Sequence, residues 1–169
     1  VAGAKFLELF ADMTTVERGT LLTSTGTVDM AQGVFAIVLV DGANGYVFSP
    51  AINTFARISS PNFYGSERVA YLSLKFIFVR PDTQQFYYSD GIDNATGYDG
   101  SDVSSADSGP DDIVGHIVDH REIWFAGEKS MEVWIPNPGL DQVFSRNSGA
   151  SIEVGCAARH SLQQVDNSV

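Results

Sequence analysis

The stretch Tyr71-Leu72-Ser73-Leu74-Lys75-Phe76-Ile77-Phe78-Val79, then the polar Arg80-Pro81-Asp82-Thr83-Gln84, then Gln85-Phe86-Tyr87-Tyr88, decides the fold class. Leu72, Leu74, Phe76 and Phe78 alternate with Tyr71, Ser73, Lys75 and Ile77, so one face is apolar and the other mixed. A period of two is what a half-buried β-strand requires. The turn and the aromatic run behind it close the unit as an antiparallel hairpin.

The same arrangement is read on either side. Upstream, residues 34–40 form an apolar run, 41–45 a turn and 46–49 a second strand; downstream, 113–118 and 122–126 flank a turn at 119–121. The downstream unit continues through 127–130 into a third strand over 131–135. Counting turn starts at Asp41, Arg80 and Asp119 gives 80 − 41 = 39 and 119 − 80 = 39. Multi-stranded units of about 40 residues match the period of a β-propeller blade. The expectation is an all-β chain of repeated antiparallel hairpins in blade-like units, with a sandwich or irregular β fold as the alternative. Residues 34–40 lack alternation, which implies a strand covered on both faces.

Three such units are too few for a ring of about 4–8 blades. The chain also opens on Val1 and ends on the polar run 163–169. Both features read as an incomplete piece of a larger propeller-like protein. Residues 1–33 form an uncertain N-terminal segment, and 34–169 the β-repeat domain. Within the latter, residues 90–112 hold seven aspartates and no Lys or Arg. That composition predicts a long, mobile acidic surface loop. Asn137-Pro138-Gly139 predicts a second, sharper one.

Composition narrows function. With 21 acidic residues against 10 Lys and Arg, net charge −11 argues against direct gripping of nucleic-acid phosphates. The longest apolar run, 34–40, is far below the roughly 20 residues of a membrane-crossing helix, so the chain reads as soluble. One cysteine, Cys156, forms no internal disulfide, and its small apolar surroundings suit an inert buried thiol.

Candidate chemistry is thin. The acidic loop offers oxygen ligands for calcium, but its spacing departs from the Asp-x-Asp-x-Asp-Gly pattern. His116 and His120 stand four apart, a zinc spacing on a helix but not across a strand and turn. His160 beside Arg159 suits a polar strand end. No Gly-x-Ser-x-Gly elbow or cysteine–histidine partnership appears, and Gly97, Gly100 and Gly109 lie where a phosphate is repelled. No catalytic residues, cofactor or metal site are expected. Trp124, Phe125 and Trp134 are candidate interface residues, with blade core as the competing reading. Trp134 shares a strand face with Glu132 and not with Val133. A carbohydrate-binding or carbohydrate-active propeller is the rival function, resting on these rings and the many carboxylates.

Residues 112–128 (Asp-Ile-Val-Gly-His-Ile-Val-Asp-His-Arg-Glu-Ile-Trp-Phe-Ala-Gly-Glu), with Met131-Glu132-Val133-Trp134 and Ile152-Glu153-Val154-Gly155-Cys156-Ala157-Ala158, resemble the packaged-DNA stabilisation proteins of short-tailed bacteriophages. These are also called tail hub or head-completion proteins. The resemblance is best over 112–169, weaker over 62–93, and fades toward the N-terminus. It implies a virion structural protein of the tail, assembled in the host cytoplasm as a homo-oligomer around the tail axis. Its implied partners are the portal and other tail proteins, and its implied role is to retain packaged DNA and attach tail parts. It implies neither an enzyme nor sequence-specific DNA contact.

Overall fold

A computed structural model describes residues 1–137, 139, 142–158 and 161–164. Among them every regular element is a strand. A hairpin of β1 (Lys5–Leu9) and β2 (Thr15–Thr20) comes first. Three four-stranded antiparallel meanders follow, each pairing its strands in chain order. The first contains β3 (Asp29–Gln32), β4 (Ile37–Val40), β5 (Gly45–Ser49) and β6 (Thr54–Arg57). The second contains β7 (Val69–Leu72), β8 (Lys75–Val79), β9 (Gln85–Tyr88) and β10 (Val103–Ser105). The third contains β11 (Ile113–Asp119), β12 (Glu122–Gly127), β13 (Met131–Pro136) and β14 (Phe144–Ile152).

The sheets stack face to face, and alternation along each strand sends side chains into two different cores. From the second sheet, Phe76, Phe78 and Tyr87 pack with Val38, Val40 and Val47 of the first. Its other face sends Ile77, Val79, Phe86 and Tyr88 against Ile123, Phe125 and Trp134 of the third. Such a doubly covered sheet needs apolar residues at successive positions, which explains Phe76-Ile77-Phe78-Val79. The opposite face of the first sheet, with Leu39, Tyr46 and Phe48, is covered by Phe6 and Leu21 from the hairpin segment. The segment 1–33 therefore contributes a covering hairpin and the first strand of a sheet.

Several sequence expectations shift in detail. Tyr71–Val79 is two strands, not one. Leu72 pairs with Lys75, and Ser73 and Leu74 form the intervening two-residue turn, both at positive φ (51° and 64°). Leu74 sits in that turn, 41% exposed, because a tight hairpin reverses the chain and breaks the period. The strand expected over 34–40 begins only at Ile37; Val34 and Phe35 lie in the preceding turn, 59% and 72% exposed.

The equal spacing of 39 also mixes two kinds of hairpin. The turns after Val40 and Val79 join β4–β5 and β8–β9, but the turn at 119–121 joins β11–β12, which corresponds to β7–β8. The equivalent turn in the third sheet starts at Glu128, so the true intervals are 80 − 41 = 39 and 128 − 80 = 48. The extra length lies mainly between β9 and β10, where 14 residues (89–102) replace the 4 (50–53) between β5 and β6.

That insertion is the first part of the acidic loop, and 90–112 is more structured than its composition predicts. It supplies β10 as the outer strand of the second sheet, and it buries Ala95 and Tyr98 in the core shared with the first. Buried Asp93 accepts hydrogen bonds from the Val34 and Phe35 backbone N–H groups (3.1 and 2.9 Å) and from the Tyr71 hydroxyl (2.5 Å). One carboxylate thus ties the acidic insertion to the β3–β4 turn and to β7. Pro138, Arg159, His160 and residues 165–169, on which other loop and histidine expectations fall, lie outside the described residues.

Candidate functional site

Strand direction gives the stacked sheets two unlike ends. β3, β7 and β11 all start at one end, where the turns 41–44, 80–84 and 128–130 also lie. Hydrogen bonds across neighbouring sheets keep them aligned: Val69 N–H donates to Asp29 at the starts of β7 and β3 (2.9 Å), and Ile113 N–H to the Thr83 carbonyl (3.0 Å). This end carries Asp41, Glu67, Asp82, Asp107, Asp111, Asp112 and Glu128.

The loops at the other end include 10–14, 33–36, 50–53, 73–74 and 89–102, together with the polar β11–β12 turn 120–121 of the third sheet. They expose Phe10, Met13, Val34, Phe35, Ile52, Leu74 and Ile92, with Leu9 adjoining them on β1. Met13, Ile52 and Ile92 are 77%, 71% and 79% exposed. Single exposed apolar residues are ordinary, but these gather at one end, the pattern expected of a surface that another protein covers. This distribution was invisible in the sequence, where the same residues are scattered over more than 80 positions. The only available signal was a large apolar residue beside turn-forming Gly, Pro or Asp.

At the acidic end a cleft of about 400 Å³ opens between the second and third sheets. Its walls include Glu67, Arg68, Asp82, Asp112 and Glu128, and His116 from β11 lies at its inner side. His116 is 2% exposed, pairs across the sheet with Phe125, and has its ring 5.8 Å from that residue's. Both ring nitrogens are closed to solvent, and the Ile77 backbone carbonyl is the polar group that faces the ring. Burial drives its pKa down to about 3; the Arg68 charge adds to this and the Ile77 carbonyl opposes it. The imidazole is therefore neutral at physiological pH.

His116 and His120 do not meet. His116 points into the inter-sheet core, whereas His120 occupies the β11–β12 turn at φ 45° and pairs through Nδ1 with Asp119 (2.8 Å). Among the described residues, no three His, Cys, Asp or Glu side chains converge as a metal site. In the acidic insertion, Asp99 accepts from Ser101, Asp90 from Gly91 N–H, and Asp93 from the groups named above. Cys156 is partly exposed rather than buried, with Sγ 3.0 Å from the Ser161 hydroxyl.

The three aromatic candidates divide between two faces. Phe125 and Trp134 are 2% and 7% exposed in the core between the second and third sheets, where both rings pack on Phe86. Trp124 lies on the opposite face beside Val133, with its indole N–H buried and unpartnered. A sugar-stacking platform needs open ring faces, and Phe125 and Trp134 present none.

Four-stranded antiparallel meanders, stacked face to face with their first strands adjacent, define a propeller-type protein. The family described as "Bacteriophage P22 Gp10, beta-propeller" matches residues 1–169, and the chain belongs to it. It is a phage structural protein, a virion component, and its family is not a known enzyme class. No curated protein matches the chain. Among solved structures it is similar to "YCF48 bound to D1 peptide", at 11% identity and TM-score 0.55, covering 80% of this chain and 44% of that one. That likeness concerns the fold alone, and the chain spans less than half the length of that structure.

Proposed function

We propose that this chain is part of a tail protein that assembles around the tail axis below the portal, helps retain packaged DNA, and attaches further tail components. One observation carries this reading: Phe35, Ile52, Leu74 and Ile92 are exposed together at one end of the stacked sheets. Apolar loops gathered in this way gain free energy only when another protein covers them. The strongly acidic balance supports the DNA-related part, because a conduit that later releases DNA must not hold its phosphates. The work assigned to the chain is therefore protein contact.

The test uses full-length protein and DNA-filled heads of the parent phage that lack it. Wild-type protein should co-sediment with the heads and protect their DNA from added nuclease. The double variant Phe35→Ser/Ile92→Ser should fold normally but lose most of the co-sedimentation. Failure of wild-type protein to bind portal-bearing heads refutes the reading, and unimpaired binding by the variant removes the apolar end from it.

A further inference from the structure

We propose that Asp90-Gly91, at the start of the acidic insertion, is a site of self-modification: the Gly91 backbone nitrogen closes on the Asp90 side chain, and reopening of the ring leaves an isoaspartyl linkage. The inference concerns covalent chemistry of the folded protein and stands independently of the tail assignment. The Gly91 N–H donates to the Asp90 carboxylate at 2.6 Å, which sets the attacking nitrogen beside the group it must reach. The turn around it is pinned from both sides, because Asp90 N–H donates to the Gly97 carbonyl and Asp93 N–H to the Leu74 carbonyl, each at 2.8 Å. A reacting pair held in this way needs little reorganisation. Gly91 sits at φ 64°, which glycine adopts at no steric cost, and it has no side chain to shield its nitrogen. Both residues are exposed, so water reaches the ring.

The electrophile is the protonated carboxyl group. The N–Cγ bond forms, the Gly91 nitrogen gives up its proton and the Cγ–OH bond breaks, so one water leaves and a five-membered imide remains. Water then adds to one of the two imide carbonyls. Opening at Cγ restores aspartate, whereas opening at the former backbone carbonyl routes the chain through Cβ. The water lost in closure is regained in opening, and no oxidant or cofactor is consumed. The product carries one extra methylene in the main chain immediately before the exposed Ile92 and before Asp93, whose carboxylate holds the Val34 and Phe35 N–H groups. Modification at Asp90 therefore reshapes the apolar end from within.

The fold singles out this site among like dipeptides. The sequence contains three further pairs of Asp or Asn before Gly: Asp41-Gly42, Asn44-Gly45 and Asp99-Gly100. The Asp41 carboxylate is held by the Asn44 N–H (2.7 Å) and by the hydroxyls of Thr23 (2.7 Å) and Tyr46 (2.8 Å), while the Gly42 N–H donates to the Ser66 carbonyl (2.9 Å). Asn44 is buried, and Gly45 is fixed in β5 opposite Val40. Asp99 reaches past Gly100 to Ser101, accepting from its N–H and its hydroxyl at 2.9 Å each. Of the four, Asp90 is the one whose side chain accepts from the nitrogen that would attack it.

The experiment ages the folded full-length protein in heavy-oxygen water and locates isoaspartate by peptide mass spectrometry with electron-transfer fragmentation, which separates the two linkages. Isoaspartate should accumulate at Asp90 at least fivefold faster than at Asp41 or Asp99, with a heavy oxygen incorporated on ring opening. It should form faster at about pH 5 than at about pH 8, because carboxyl groups become protonated as pH falls toward their ordinary value of about 4. Asp90→Glu, whose ring would be six-membered and closes slowly, should remove the signal at that position. In urea-unfolded protein the three Asp-Gly sites should react at similar rates, since the selectivity lies in the fold. Absence of isoaspartate at Asp90 in the folded protein, an equal rate at Asp99, or the same preference for Asp90 in the unfolded chain overturns the proposal.

Discussion

The indole N–H of Trp134 donates a hydrogen bond of 2.9 Å to the carboxylate of Glu132, two residues earlier on the same face of β13. Glu132 is 3% exposed, and its other oxygen accepts from the Ser108 backbone N–H. One buried carboxylate thus satisfies two donors, one in the inter-sheet core and one in the connection from β10 to β11. Glu132→Ala should cost about 3 kcal/mol, since it orphans both donors and leaves a void. Glu132→Gln should cost less, because its amide oxygen still accepts from one of them. Equilibrium denaturation of the three proteins checks the order.

His116 makes stability depend on pH. Its folded pKa, about 3, lies below the ordinary histidine value of about 6.5, so the unfolded chain binds the proton first as pH falls. Its contribution is complete above pH 6.5 and is lost progressively down to about pH 3. From pH 6.5 to 5, above the carboxylate range, stability should fall by on the order of 1 kcal/mol per pH unit. His116→Phe should flatten that slope. Denaturation midpoints at pH 7, 6 and 5 give the comparison.

The turn at Ser73-Leu74 is strained. Both residues sit at positive φ, where side chains other than those of Gly and Asn are disfavoured. Replacing the pair with Asn-Gly should stabilise the protein by about 1 kcal/mol, since Leu74 is exposed and loses little packing. Thermal unfolding should show a higher midpoint; a lower one would mean that Leu74 is held by contacts.

Tyr71 links the acidic insertion to β7. Its pKa is pushed up to about 12, first by burial and then by its hydrogen bond to Asp93. Because the folded value exceeds the unfolded one of about 10, its contribution is intact below pH 10 and disappears as pH rises toward 12. Burial raises Tyr87 and Tyr98 as well, so alkaline unfolding should begin near pH 10 with a cooperative rise in tyrosinate absorbance. Asp93→Ala should lower the Tyr71 value and free the Val34 and Phe35 N–H groups. A spectroscopic titration of both proteins detects the change.

The strands were legible where burial repeats locally. Residues 46–49, 85–88 and 131–135 are near-continuous apolar or alternating runs, and each is a strand. The pairing of Trp134 with Glu132 on one face also followed from a period of two. What stayed hidden depends on partners distant in sequence. A two-residue turn inside 71–79 leaves no polar break, so it reads as uninterrupted strand, and the hairpin read in the second unit is not the equivalent of the one read in the third. Asp93 looks like any aspartate of an acidic run until the β3–β4 turn is brought beside it. His116 looks like a polar strand residue until Phe125 and the neighbouring sheet close over it. Phe125 and Trp134 are equally apolar in a core or at an interface, and only the stacking of sheets places them in the former.

We propose that this phage structural protein works in the tail through contacts made by its apolar end. Electron cryomicroscopy of intact virions at side-chain resolution tests it most directly. The account predicts density for residues 33–36, 50–53 and 89–102 packed against another protein next to the portal, with Phe35 and Ile92 buried. Density elsewhere in the particle, or the same loops facing open solvent, would contradict it.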